Sequence, residues 1–201
     1  MKALLADLGL VTVGTGRAWA VTSPDNIYRY ALGRMWDDYF YDGHWTSADA
    51  PAPPRPLWVF GMINPSTARG TLPDGSPDDD PTIRKCTGFA RRGGAGGFLV
   101  VNTLAYSATD PRDMVRAHRS GIDVRGPMNE RALRWALSRP TLLGRHIAAW
   151  GRIPPKLREL AKQGTVQFRC SGFVECFGLN ADGSPKHPLM LGYDTPLVPL
   201  T

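Results

Sequence analysis

Apolar residues in this chain gather into short unbroken runs, each stopped by Gly, Asn or Pro and followed by polar groups. Leu57-Trp58-Val59-Phe60-Gly61-Met62-Ile63 leads into Asn64-Pro65-Ser66-Thr67, and Phe98-Leu99-Val100-Val101 ends at Asn102. Ile147-Ala148-Ala149 runs into Trp150-Gly151, and Val174 to Gly178 precedes Gly183-Ser184-Pro185-Lys186-His187-Pro188. Continuous apolar runs of this length, bounded by turn residues, predict strands covered on both faces. Ligands bind at the carboxyl ends of strands in open α/β sheets. If the four strands lie side by side and parallel, Asn64, Asn102, Gly151 and His187 converge on one cleft.

Between the strands the period changes to that of a helix. Asp80 and Pro81 stand as N-cap and first helical residue of a segment running to Arg92. Its Ile83, Cys86, Phe89 and Ala90 recur on one face. Further helices are predicted over Pro111–Ala117, Glu130–Leu137 and Pro155–Gln163, with short β segments at Val166–Arg169 and Phe173–Phe177. Tyr28, Tyr30 and Leu32 alternate with Arg29, Ala31 and Gly33 as a strand does; these aromatics form either a packing face or a stacking platform. Residues 47–56 are too rich in Pro for a helix or central strand. Strand and helix alternate, so right-handed crossovers and a mostly parallel sheet with helices on both faces are expected. The expected fold is therefore an α/β three-layer sandwich forming a single domain over residues 1–201. Residues 1–26 are weakly patterned and predict an irregular or partly exposed arm ahead of the core at 27–201.

The 201 residues carry a net charge of +6, which suits either a polyanionic partner or a solvated basic surface. The glycines at 93–97 precede a strand instead of opening a helix, and no G-x-G-x-x-G or Walker lysine loop occurs, which argues against a nucleotide-driven phosphotransferase. Met1–Gly14 does not read as a signal peptide because Asp7 interrupts a short apolar stretch. No apolar run approaches bilayer length. Cys86, Cys170 and Cys176 lack C-x-x-C spacing, which implies reduced thiols and a cytoplasmic setting. A zinc site from Cys170, Cys176 and His187 is the less favoured reading, because paired spacings are missing. Asp78-Asp79-Asp80 holds either a divalent metal or a helix cap with two solvated acids.

The pattern Asn-Pro-Ser-Thr-Ala (64–68), Asp-Asp-Pro-Thr-Ile-Arg (79–84), Val-Val-Asn (100–102), Ala-Thr-Asp-Pro (108–111), Ala-Ala-Trp-Gly (148–151) and Asp-Gly-Ser-Pro-Lys-His-Pro-Leu (182–189) resembles a bacterial and phage family that carries a domain-of-unknown-function label. More distantly, Gly61-Met62-Ile63-Asn64-Pro65, Val100-Val101-Asn102, Ala149-Trp150-Gly151 and His187-Pro188 resemble, in that order, the strand ends of uracil-DNA glycosylases and their mismatch-specific relatives.

That second resemblance implies a uracil-DNA glycosylase-like fold and a monofunctional DNA glycosylase that needs no cofactor or metal. Its substrate would be a modified or damaged pyrimidine flipped out of duplex DNA. Asn64 would place the attacking water and His187 would donate to the base oxygen on which charge grows. Asn102 would read the base edge, with Pro65, Ser66 and Gly151 lining the substrate. Pro188, Leu189 and Met190 would meet the DNA, with Leu189 or Met190 as the wedge; Arg84, on a helix without a counterpart in the glycosylases, either binds a DNA phosphate or pairs with Asp79 or Asp80. A monomer with no membrane partner is expected, and a part in phage defence fits the company the pattern keeps. The chain departs from the glycosylases in its His-Pro-Leu loop and its acidic loop. The alternatives are a non-catalytic nucleotide or nucleic-acid-binding module, and a metal-dependent base- or nucleotide-modifying enzyme.

Overall fold

The computed structural model describes residues 10–15, 17–38, 54–66, 68, 70–138 and 143–201. Its strands are β1 (Val11–Thr15), β2 (Ala18–Thr22), β3 (Arg29–Met35), β4 (Leu57–Met62), β5 (Gly97–Asn102), β6 (Leu143–Ala148), β7 (Val174–Cys176) and β8 (Val198–Pro199). Together they form one mixed sheet in the order β1-β2-β3-β5-β4-β6-β7-β8. The helices are α1 (Pro81–Arg92), α2 (Pro111–Arg119), α3 (Asn129–Leu137) and α4 (Arg158–Arg169). Single 3₁₀ turns cover Pro155–Leu157 and Pro188–Met190.

The centre of the sheet is parallel, because β5, β4, β6 and β7 pair in that sense. The sheet as a whole is not mostly parallel. β1, β2, β3 and β5 are paired antiparallel, as are β7 and β8. For β1–β2 and β2–β3 connection length explains this: a tight turn can only return a strand antiparallel, whereas a parallel neighbour needs a crossover of a dozen or more residues. The β2–β3 turn is closed by Ser23 and Asp25 accepting from Tyr28 and Ile27 N–H groups, with Asn26 at a φ of 58°.

Residues 10–26 therefore do not form the irregular arm expected of them. Two of their runs are strands, and Ala18, Trp19, Ala20 and Val21 are buried. Residues 1–9 and 47–53, part of the Pro-rich connection, lie outside the described residues. Val166–Arg169 is the last turn of α4 rather than a strand. Its valine and phenylalanine suggest β structure locally, but Ala161, Gly164 and Phe168 line one buried helical face, and packing of that face decides.

Alternation along the central strands supplies two apolar clusters. Trp58, Phe60, Met62, Phe98, Val100 and Ile147 join Ile83, Cys86, Phe89 and Ala90 of α1. Leu57, Val59, Leu99, Val101 and Ala148 join Met114, Leu133, Ala161 and Phe168 from α2, α3 and α4. Each large side chain so buried contributes about 1.5–3 kcal/mol. The helix over α1 starts where expected: the Asp80 carboxylate accepts from Ile83 N–H at 2.8 Å with Pro81 at the first position. No described helix is long and apolar enough to cross a membrane.

Gly164 sets how closely α4 approaches the tip of β5. A Cβ there would lie 2.8 Å from Thr103 Cα and 2.9 Å from its carbonyl oxygen, both backbone atoms that cannot swing aside. Gly164→Ala is therefore expected to destabilise by about 1–3 kcal/mol through overpacking, although alanine is the better helix former. Urea unfolding checks this through a lowered midpoint at unchanged slope.

Candidate functional site

The four parallel strands end at one edge, and a cavity of about 320 Å³ lies there. Asn64, Ser66, Asn102, Gly151, His187 and Leu189 all line it, so the predicted convergence holds for these residues. A volume of this order suits a base-sized ligand. A smaller concavity, about 190 Å³ between α3 and α4, holds polar groups tied to one another. There Gln163 and Gln167 donate to the carboxylate and the main-chain carbonyl of Glu130 at 3.0 Å.

The strand tips are laced together beyond the strands themselves. Thr103 N–H donates to Met62 O at 2.9 Å, Leu104 N–H to Ile63 O at 2.8 Å, and Ala149 N–H to Gly61 O at 2.8 Å. Asn64 is fixed in turn, its Nδ2 donating to Ala108 O at 2.6 Å and Pro65 O at 2.9 Å. Two carbonyl partners settle which end of the amide is nitrogen. They leave Oδ1 as the acceptor that Asn64 can offer a water.

Asn102 is different. It is only 1% exposed, yet neither Nδ2 nor Oδ1 has a hydrogen-bond partner among the described residues. Its backbone is held from behind, because Asn129 of α3 donates to Asn102 O at 2.9 Å and Thr103 O at 3.2 Å. Buried amides without partners are rare in folded proteins. A rigidly mounted, unsatisfied donor and acceptor facing a cavity amount to a recognition element for a planar ligand edge.

His187 caps the Pro188–Met190 turn, and its Nδ1 accepts from Leu189 N–H at 3.4 Å. Pro188 has no N–H, so the next residue supplies the contact. An accepting Nδ1 places the imidazole proton on Nε2. Burial lowers the His187 pKa below its ordinary 6.5, while the nearby Asp80 charge pulls it back up. Gly151, at a φ of +67°, closes over this ring: a Cβ there would stand 3.1 Å from His187 Cβ. The hairpin before His187 is braced by Asn180, whose Nδ2 reaches Ser184 Oγ at 3.0 Å, and by the Arg152–Asp182 ion pair at 3.1 Å.

Other predicted residues are placed differently. Pro65 is buried and does not line the cavity; its carbonyl accepts from Asn64 and from Ala108 N–H. Arg84 also lies outside it, exposed and donating to Asp79 O at 2.5 Å. Pro188 is buried beneath its turn. Leu189 reaches the mouth at 36% exposure, and Met190 stands out at 89%.

Arg29, Asp80, Thr82, Thr109 and Arg152 also line the cavity, and the sequence alone did not point to them as a group. β3 runs antiparallel to β5, so its first residue, Arg29, falls at the carboxyl edge. Arg29 is 3% exposed and donates to Ala68 O. Asp80 was legible as a helix cap, but its second oxygen accepts from Ser66 Oγ, a pairing 14 residues apart that no spacing rule reveals. Asp79 pairs with Arg34 at 2.7 Å. Among the described residues no three His, Cys, Asp or Glu side chains are grouped to hold a metal. The zinc candidates are split, with Cys176 buried, Cys170 exposed and both thiols free.

The family model described as Protein of unknown function (DUF1643) matches residues 29–189. The chain belongs to the DUF1643 family. No curated protein and no solved structure matches it. The limits of the DUF1643 match are informative: every cavity-lining residue, from Arg29 to Leu189, falls inside it. β1 and β2 precede it, so the family is defined over the part of the sheet that builds this site.

Proposed function

We propose that this DUF1643 chain is a DNA glycosylase that hydrolyses the N-glycosidic bond of a modified or damaged pyrimidine turned out of DNA. The observation that carries the reading is the buried amide of Asn102, without a hydrogen-bond partner among the described residues, in the same cavity as His187. A pyrimidine edge offers the donor and acceptor that Asn102 lacks, and reading a flipped base by its hydrogen-bonding edge is how such enzymes select. His187, neutral with its proton on Nε2, donates to the base oxygen as the C1′–N1 bond breaks and negative charge moves onto the ring. Asn64 Oδ1 accepts from the water that attacks C1′. Leu189 and Met190 stand at the mouth as the apolar wedge that fills the vacated stack, and the basic surface supplies contacts to phosphate.

In this reading the two apolar clusters make a three-layer, uracil-DNA glycosylase-like sandwich around the parallel centre of the sheet. The protein is a cytoplasmic monomer that acts without a metal, since Asp79 and Asp80 are engaged with Arg34, Ser66 and the start of α1.

The test is direct. Duplexes carrying uracil, 5-hydroxymethyluracil, 5-hydroxymethylcytosine or 3,N4-ethenocytosine are incubated with the protein in EDTA and then heated in alkali. Strand breaks at one of these bases are expected. Asn64→Ala is expected to slow their formation by about 10²-fold or more, the usual scale for losing a positioned catalytic group. Duplexes that shift on a gel without releasing any base would make the cleft a reader and overturn the enzyme reading.

A further inference from the structure

Asn64 is a neutral side chain and cannot itself keep a proton from the attacking water, so a second group has to take it. Three observations bear on which group does. Asp80 lines the cavity that holds Asn64, Asn102 and His187. One of its oxygens is fixed by Ile83 N–H at 2.8 Å, which leaves the carboxylate little freedom. The other accepts from Ser66 Oγ, and Ser66, two residues beyond Asn64, lines the same cavity. The serine proton points at Asp80, so the lone pairs of Oγ are left to accept from elsewhere.

We infer that Ser66 and Asp80 act as one proton-accepting pair for the water that Asn64 holds, an assignment that rests on the glycosylase reading. The water oxygen forms its bond to C1′ as the C1′–N1 bond breaks and its electron pair leaves with the base. The water proton passes to Ser66 Oγ as the serine proton passes to Asp80, which ends neutral. The base departs as an anion beside His187 Nε2–H and later takes up a proton. No cofactor enters, and charge and protons balance.

Asp80 also caps α1, and the test has to separate that role from the chemical one. Asparagine caps a helix about as well as aspartate; with its Oδ1 on Ile83 N–H its Nδ2 faces Ser66 Oγ as a donor, so Asp80→Asn keeps the cap and removes the proton acceptor. Each variant is assayed in single turnover on whichever duplex of the panel the wild-type protein cleaves, with duplex affinity and melting temperature measured alongside. Asp80→Asn is expected to melt like the wild type and bind duplex at least as tightly, yet release base about 10²-fold or more slowly. Ser66→Ala should show a similar loss, and the double variant should be no slower than the slower single one, as members of one unit behave.

An Asp80→Asn rate within threefold of wild type would overturn the pair and leave the glycosylase reading standing, provided Asn64→Ala is still slow. Additive losses in the double variant would also overturn it, because the two residues would then act separately. If wild-type protein releases no base from any duplex, both the reading and the pair fall.

Discussion

Asn102→Leu is expected to raise the melting temperature of the protein while slowing release of a base by about 10²-fold or more. The two effects have one cause. The amide of Asn102 is buried, and neither end has a hydrogen-bond partner among the described residues. An unsatisfied buried polar group costs about 1–3 kcal/mol, whereas an apolar side chain of similar shape carries no such penalty. With about 2–4 °C per kcal/mol for a chain of this size, Asn102→Leu should melt several degrees higher. Its neighbours favour accommodation: Val100 and Val101 precede it on β5, and both are buried and apolar.

The loss of function follows from the same geometry. A site built around a donor and acceptor discriminates strongly against ligands it cannot pair with, by about 10⁴-fold or more. A leucine there would leave the base edge unpaired in turn. The rate of base release should therefore fall at least 10²-fold, with duplex affinity much less affected because phosphate contacts dominate it. Differential scanning calorimetry and the strand-break assay read the two halves of the prediction. A variant that melts lower and still cleaves would remove Asn102 from the recognition role. Such exchange of stability for function is common where a site is held in an unsatisfied state.

Much of this site was legible because it is a property of strand ends. Each apolar run stops at a residue that a buried strand cannot continue through, and parallel neighbours bring those stops to one edge. Asn64, Asn102, Gly151 and His187 needed only the order of the runs to be placed together. Asp80 was half legible: its place three residues before Ile83 announced the cap, while its bond to Ser66 joins residues 14 apart that no local pattern pairs. Arg29 was hidden because alternation from Tyr28 to Gly33 announces a strand but not its direction or its neighbours in the sheet. It is the antiparallel entry of β3 that brings its amino end to the site, and that topology depends on the β1–β2–β3 hairpins, whose first two strands the pattern left unassigned. Val166–Arg169 failed for the opposite reason, with β-forming residues held in a helix by the packing of Phe168.

His187 gives the candidate site a pH dependence of its own. Its ordinary pKa of 6.5 is lowered first by burial, with Asp80 opposing. The folded chain thus resists a proton that the unfolded chain accepts near pH 6.5. More protons on the unfolded side means that stability rises with pH in that interval. The contribution is fully present above about pH 6.5 and is lost as pH falls towards the lowered value. His146 is shifted the same way by burial, with its Nδ1 2.6 Å from Ser171 Oγ, so melting temperature should decline from both causes.

Activity separates the two histidines. Protonation of His187 puts a hydrogen on Nδ1, which then cannot accept from Leu189 N–H. The cap of the Pro188–Met190 turn is broken, and with it the placement of ring and wedge. Base release is expected to be flat above about pH 6.5 and to drop below it in the wild-type protein. His187→Gln keeps a donor but does not titrate. It should be slower by about 10²–10³-fold, the scale for a displaced oxyanion donor, and its rate should no longer change across the same interval. His146→Leu should reduce the drift in melting temperature and leave the acid limb of the rate profile in place. An acid limb that persists in His187→Gln would assign it to another group and remove His187 as the donor to the leaving base.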